Sequence, residues 1–243
     1  MSTVGVVIPA FRPEVERTLS YLRELESVLS PDVIRLELDD PDPDVVAAFE
    51  GSPATVNAVD RRRGKGAAIA EGFDTLETDV LAFFDADGAT PAASAEAVVA
   101  PVRRGEVPLA VGSRRHPDSR VAGHQGVTRR VLGDAFAWSA RRLLPATLYD
   151  YQCGAKAISA GTWRNVRKHL SETGFGWDIE LIATAAALGY KIREVPIEWE
   201  DQPGSTVSPA GDGLRMARTL LSASLCARNV RRQTDRDGEG MET

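Results

Sequence analysis

Cysteine is nearly absent from this chain: two residues in 243, Cys153 and Cys226, far apart and in segments that read as different elements. That excludes a disulfide-built scaffold and fits a reducing compartment. Lysine is scarce as well, confined to Lys65, Lys156, Lys168 and Lys191, so arginine carries most of the positive charge. The formal net charge of -6 argues against a protein that works by neutralising nucleic-acid phosphates, and no nucleic-acid partner is expected. No apolar run approaches the roughly 20 residues that span a bilayer, and no charged-then-apolar leader precedes the first strand, so a cytoplasmic location is expected. There is no Walker phosphate loop, no glycine-rich opening loop of the nucleotidyltransferase type after the first strand, and no internal repeat. What is present is 43% hydrophobic residues, enough for a sizeable core in one large domain or two small ones.

The chain is organised around Val80-Leu81-Ala82-Phe83-Phe84-Asp85-Ala86-Asp87-Gly88, an apolar run that ends in two carboxylates one residue apart. A buried strand delivers groups to a sheet edge in this way, and open α/β sheets bind small molecules at the carboxyl ends of their strands. Residues i and i+2 of an extended chain lie on one side, so Asp85 and Asp87 could share a hard divalent cation and the phosphates it carries. Asp and Gly are also favoured in turns for local reasons, and a plain turn is the competing reading.

Strand, loop and helix alternate around this stretch. Residues 4–8 form a β-branched run stopped by Pro9-Ala10-Phe11-Arg12-Pro13, and 14–29 place Val15, Leu19, Leu22, Leu25 and Leu29 at helical spacing. Strands are expected at 33–38, 55–59 and 109–112, and helices at 45–49, 67–76 and 92–102, which is the pattern of a parallel sheet wrapped by helices. Residues 121–144 interleave apolar side chains with Arg129, Arg130, Arg141 and Arg142 and read as one or two amphipathic helices with basic flanks. A short edge strand is expected at 153–158, helices at 163–169 and 178–188, a strand at 190–199 and a last, arginine-studded helix at 214–230. Residues 231–243 read as a polar, disordered tail, leaving 1–230 as a single domain.

Several motifs, in their order, resemble the family 2 glycosyltransferases of GT-A fold, and most closely the dolichyl-phosphate (polyprenyl-phosphate) hexosyltransferases of glucosyl type. They are Val7-Ile8-Pro9-Ala10-Phe11, Arg63-Gly64-Lys65-Gly66-Ala67-Ala68, Phe84-Asp85-Ala86-Asp87-Gly88, Gly112-Ser113-Arg114, Asp150-Tyr151-Gln152-Cys153-Gly154-Ala155-Lys156, Phe175-Gly176-Trp177-Asp178-Ile179-Glu180-Leu181 and Gly189-Tyr190-Lys191-Ile192-Arg193-Glu194-Val195-Pro196. The resemblance spans Val4 to about Leu225. It implies an α/β, Rossmann-like, mostly parallel sheet flanked by helices, with amphipathic interfacial helices.

The resemblance further implies a metal-dependent, inverting transfer of a hexose, glucose above all, from a UDP-sugar to a dolichyl or polyprenyl phosphate at the cytoplasmic membrane face. Pro9, Ala10, Phe11, Asp39 and Asp40 would hold the nucleoside; Arg63, Lys65, Asp85, Ala86 and Arg114 would line the rest of the donor. Asp85 and Asp87 would bind Mg²⁺ or Mn²⁺, with Asp87 and Asp178 as the catalytic carboxylates. Asp178 also fits a helix N-cap, and the two roles are compatible. Arg114, Arg120, Arg129 and Arg130 are the candidates for the acceptor phosphate, beside amphipathic helices suited to a bilayer surface. The alternatives are a soluble glycosyltransferase with a small phosphorylated acceptor and a catalytically weakened sugar-nucleotide binder. The family pattern is interrupted by Arg12-Pro13 before Glu14, by a missing lysine in Gly204-Ser205-Thr206-Val207-Ser208, and by Gly211 where an arginine is usual.

Overall fold

The structure, a computed structural model, describes the backbone of residues 2–122, 127–200 and 209–239, and the side chains of 2–122, 133–200 and 217–233. In chain order the elements are β1 (Val4–Phe11), α1 (Val15–Leu29), β2 (Val33–Asp39), α2 (Pro43–Ala48), β3 (Ala54–Val59), α3 (Lys65–Asp74), β4 (Val80–Phe84), α4 (Ala92–Arg103) and β5 (Leu109–Ser113). They continue with β6 (Arg120–Ala122), α5 (Val127–Leu143), β7 (Ala155–Ser159), α6 (Ala160–Val166), α7 (Trp177–Ala187), β8 (Ile192–Pro196), β9 (Glu198–Glu200) and α8 (Pro209–Glu239).

Seven strands form one sheet in the order β3-β2-β1-β4-β7-β5-β8. Only β7 runs against its neighbours, pairing β4 through Ala82↔Ala157 and β5 through Val111↔Lys156. The chain winds outward from β1 to β2 on one side and β4 on the other, which opens a crevice beyond their carboxyl ends. Side chains alternate between two cores. Val6, Ile8, Ala82 and Phe84 pack with α1 and α4, whereas Val7, Leu81 and Phe83 pack with α3, α6 and α7. Burying each such Val, Ile, Leu or Phe contributes about 1.5–3 kcal/mol, so both faces of the sheet are held.

Three expectations require correction. Residues 153–158 are not an edge strand: β7 lies in mid-sheet, with Ala155 and Ala157 facing the α1–α4 core and Lys156 fully buried on the other face. An ionisable residue at its centre mimics an exposed edge, but Lys156 finds its counter-charge inside the fold. Residues 190–199 do not form one strand, because Pro196 cannot continue a ladder; β8 ends there and β9 turns away to pair with β6. The last helix does not stop at 230: α8 runs Pro209–Glu239, and Arg231, Arg232 and Gln233, all good helix formers, carry it past the expected end.

Helices α5 and α8 dock, with Ala140 of α5 and Leu144 just past its end sharing one core with Leu220, Ala223 and Ala227 of α8. The Ser224 hydroxyl donates to the carbonyl of Leu143 at 3.0 Å. Trp138, Leu143, Leu221 and Leu225 remain outside, with Trp138 57% and Leu225 60% exposed. Among the described residues no helix is long and apolar enough to cross a membrane.

Candidate active site

Strand β4 delivers its carboxylates to the crevice. The Asp85 amide donates to the carbonyl of Gly154 at 3.0 Å, which fixes the start of the turn, and the Ala89 amide closes it on the Asp87 carboxylate at 3.0 Å. Gly154 is required by close approach: a Cβ there would lie 1.8 Å from Oδ2 of Asp85. Asp87 stands at the crevice mouth, where loss of solvation to the surrounding walls, then the adjacent Asp85 charge, raise its pKa. Tyr21 packs beside Gly88 with its hydroxyl buried and unpartnered among the described residues. Burial first, then the charges of Asp85 and Asp87, push its pKa well above the ordinary value.

A row of alternating charges runs inward from this turn. The Lys65 ammonium, at the first residue of α3, lies 2.8 Å from Oδ1 of Asp85 and 3.2 Å from Oδ2 of Asp178. The other oxygen of Asp178 receives the Lys156 ammonium at 2.6 Å. Asp178 is held there by α7, whose first residue, Trp177, packs edge-on against Phe83 at 5.6 Å and joins Phe73 and Trp163 in an aromatic cluster. Burial alone would raise the Asp178 carboxyl, but Lys156 and Lys65 outweigh it and hold the pKa below the ordinary carboxylate range. Asp178 therefore does not cap α7 by a side-chain bond; it is an ionised bridge between two lysines. Glu180, the next carboxylate on the helix, accepts from the Ser171 and Glu172 amides and ties down the preceding loop.

At the carboxyl end of β1 and β2 the expected nucleoside residues divide. Pro9 and Ala10 belong to the buried strand, and Pro9 lies beyond the last pairing with β4 at Val7↔Phe83. Phe11 reaches the crevice, part exposed, with the guanidinium of Arg62 4.1 Å and that of Arg12 5.1 Å from its ring centre. Asp40 is exposed in a left-handed turn. Asp39 is buried and already accepts from the Arg63 amide, the Gly64 amide and Arg63 Nε at 2.8–2.9 Å. Gly64 serves this turn with a φ of 97°, a conformation natural to glycine. Arg63 also pairs with Glu37 and Glu71 through Nη1, and its side chain is 2% exposed. Asp39 and Arg63 thus brace the loop that presents Lys65.

The expected acceptor residues are scattered. Arg114 is a forked partner of Asp150, at 2.7 and 3.0 Å, and its guanidinium lies 5.6 Å from the Trp199 ring centre. Burial would raise Asp150, but the Arg114 guanidinium overrides it and holds the carboxyl at about 2. Arg120 lies on the β6–β9 ribbon, largely exposed and paired with Glu198 at 3.2 Å. The side chains of Arg129 and Arg130, and the segment 204–208, lie outside the described residues. Cys153 is buried beneath the site, and burial pushes its thiol up to about 12. Asp150 and Lys156, the first and last residues of one family motif but given no role there, hold the charges of Arg114 and Asp178; a charged residue inside an otherwise apolar strand was the available signal for Lys156.

Among the described residues no three His, Cys, Asp or Glu side chains converge as a protein-only metal cage. Asp85 and Asp87 offer two hard oxygen donors on one turn, which fits a divalent cation completed by phosphate oxygens and water.

The structure superposes on glucosyl-3-phosphoglycerate synthase from Mycobacterium tuberculosis, crystallised with Mn²⁺, uridine diphosphate and glucosyl-3-phosphoglycerate. The TM-score is 0.69 at 19% identity over 92% of this chain and 80% of that one. In sequence the chain is 32% identical over 228 residues to glycosyltransferase AglD of Haloferax volcanii, covering 90% of this chain and 36% of the relative. It is 27% identical over 165 residues to a dolichyl-phosphate beta-glucosyltransferase of Dictyostelium discoideum, covering 66% of this chain and 50% of the relative. The chain thus spans half or less of the length of these curated relatives. Residues 39–163 match the model of glycosyl transferase family 2, and with the GT-A sheet around them they establish that the chain belongs to that family of glycosyltransferases.

Proposed function

We propose that the chain transfers a hexose, glucose in the first place, from a UDP-sugar to the phosphate of a polyprenyl or dolichyl acceptor, with inversion. The observation that carries this reading is the pair Asp85 and Asp87 at the switch point of the sheet with the Lys65 ammonium 2.8 Å from Asp85. Two carboxylates that could hold Mg²⁺ or Mn²⁺ and a cation poised beside them suit a diphosphate. A bound divalent ion would supply neutralisation of charge on the departing diphosphate. Lys65 would bind the same group, and Phe11 would offer a face to the base, with Arg62 and Asp40 beside it.

In the reaction an anionic oxygen of the acceptor phosphate forms a bond to the anomeric carbon as the bond from that carbon to the diphosphate oxygen breaks. The electron pair leaves with uridine diphosphate, and an α-linked donor gives a β-linked product. A phosphate monoester brings its own negative charge, so no side chain has to remove a proton. Asp178, anionic and faced by two ammonium groups, is suited to positioning Lys65 and poorly suited to acting as a base.

The exposed Trp138, Leu143, Leu221 and Leu225, with Arg141, Arg142, Arg218 and Arg228 on the same two helices, suit contact with an anionic bilayer surface, and we place the acceptor lipid there. A small phosphorylated acceptor is the second reading, favoured by the superposition on a synthase bound to a glucosylated phosphoglycerate. The test is transfer of labelled glucose from UDP-glucose, with Mn²⁺ or Mg²⁺, to polyprenyl phosphate or to 3-phosphoglycerate. Organic-phase product supports the lipid reading, aqueous product the second, and no product in either phase refutes both.

A further inference from the structure

Lys156 stands at the inner end of the charge row, behind Asp178. It is the second residue of β7, 1% exposed, with its ammonium donating to the Cys153 carbonyl and to Oδ1 of Asp178, each at 2.6 Å. A buried ion pair is a weak source of stability, since apolar residues of similar volume commonly serve a core as well or better. The pair therefore calls for another reason, and its connections supply one. Oδ2 of the same carboxylate holds Lys65, and Lys65 reaches Asp85. Both ammonium groups also lie over one ring, Phe83, at 5.3 and 5.5 Å from its centre, so the row is braced on a single aromatic platform.

We propose that Lys156 is a positioning residue for the donor diphosphate: it balances and orients Asp178 from below, so that the carboxylate holds Lys65 at the Asp85 edge. One oxygen of Asp178 is fixed by Lys156 and the other holds Lys65. With Lys156 gone, the carboxylate would lose its fixed orientation, and Lys65 its fixed place beside Asp85. This inference rests on the proposed donor site and adds to it a residue that acts through Lys65 without touching substrate.

The test compares the wild type with Lys156→Met, Lys65→Met, the Lys156→Met/Lys65→Met pair and Lys156→Met/Asp178→Asn. Each is assayed by calorimetric titration with uridine diphosphate plus Mn²⁺, by melting temperature and by steady-state kinetics. Lys156→Met should weaken diphosphate binding at least tenfold and raise the donor KM, leaving the acceptor KM within twofold. Acting through Lys65, it should add little to the loss already seen in Lys65→Met. In Lys156→Met/Asp178→Asn both buried charges are removed, so the fold should regain its melting temperature while diphosphate binding stays weak. That pair carries the test if Lys156→Met alone fails to fold. Recovery of wild-type affinity together with stability would make Lys156 merely structural and overturn the inference. Full additivity of Lys156→Met and Lys65→Met would overturn it as well. Failure of the wild type to bind uridine diphosphate would instead overturn the donor-site reading, and this inference with it.

Discussion

Replacing Gly154 by alanine should separate the fold from the chemistry. The added Cβ would stand 1.8 Å from Oδ2 of Asp85, and ordinary van der Waals contact begins near 3.4 Å, so the carboxylate has to retreat by about 1.6 Å. The obstructing atoms are the carboxylate of Asp85, a part-exposed side chain at the crevice rim that can turn away by giving up its contact with Lys65, and Gly154 does not occupy the left-handed region, so the backbone accepts alanine. Stability should change by less than about 1 kcal/mol, as for most substitutions without a buried defect. Function should not survive so well, since a displacement of roughly 1 Å in a reacting constellation can lower the rate by about 100-fold. The assay is metal-stimulated transfer or uridine diphosphate binding, read beside the melting temperature. A Gly154→Ala protein with unchanged melting and at least a 100-fold loss supports the placement of Asp85 as a ligand carboxylate. Wild-type activity in this variant would refute it.

Other outcomes follow from the same geometry. Lys65→Met removes one charge-assisted contact to the diphosphate and should raise its Kd by roughly 10- to 100-fold, measured by calorimetry. Asp150 is held at about 2, below an unfolded value near 3.9, so its pair with Arg114 contributes about 2 kcal/mol that is fully present above about pH 4 and is lost as pH falls towards 2. Acid unfolding of Asp150→Asn, followed by circular dichroism, should lack that component, and the variant should melt lower at pH 7 because Arg114 is left without its charge partner. The Cys153 thiol, buried and pushed up to about 12, should resist iodoacetamide at pH 8 in the folded protein and react after denaturation; rapid labelling of the native protein would contradict its burial. Trp138→Ser with Leu225→Ser should reduce co-sedimentation with anionic vesicles severalfold without changing donor binding, and unchanged co-sedimentation would remove α5 and α8 from the proposed membrane contact.

The order of elements through β5 was legible because the strands there are apolar or alternating runs and the longer helices, α1 above all, carry a periodic apolar face. Asp85 and Asp87 were legible for the same reason: an abrupt change from five buried residues to acid can be seen without any partner. Neither pattern reports pairing across the chain. Lys156 made β7 look like an edge because its counter-charge, Asp178, lies 22 residues away and meets it only in the fold. The pairing of Asp39 with Arg63 was not legible because it depends on the return of the loop after β3 to the end of β2. Arg114 and Arg120, both candidates for the acceptor phosphate, have separate partners: Arg114 pairs with Asp150 and Arg120 with Glu198 on the β6–β9 ribbon. Charge type and spacing identify candidates; which carboxylate each cation finds is a property of the sheet order.

The most direct test of the central claim is calorimetric titration of the purified protein with UDP-glucose, with Mn²⁺ present and absent, alongside Asp87→Ala. Metal-dependent binding that Asp87→Ala abolishes is the predicted result. Binding that ignores the metal, or that survives in Asp87→Ala, would contradict a donor diphosphate held at the Asp85–Asp87 turn.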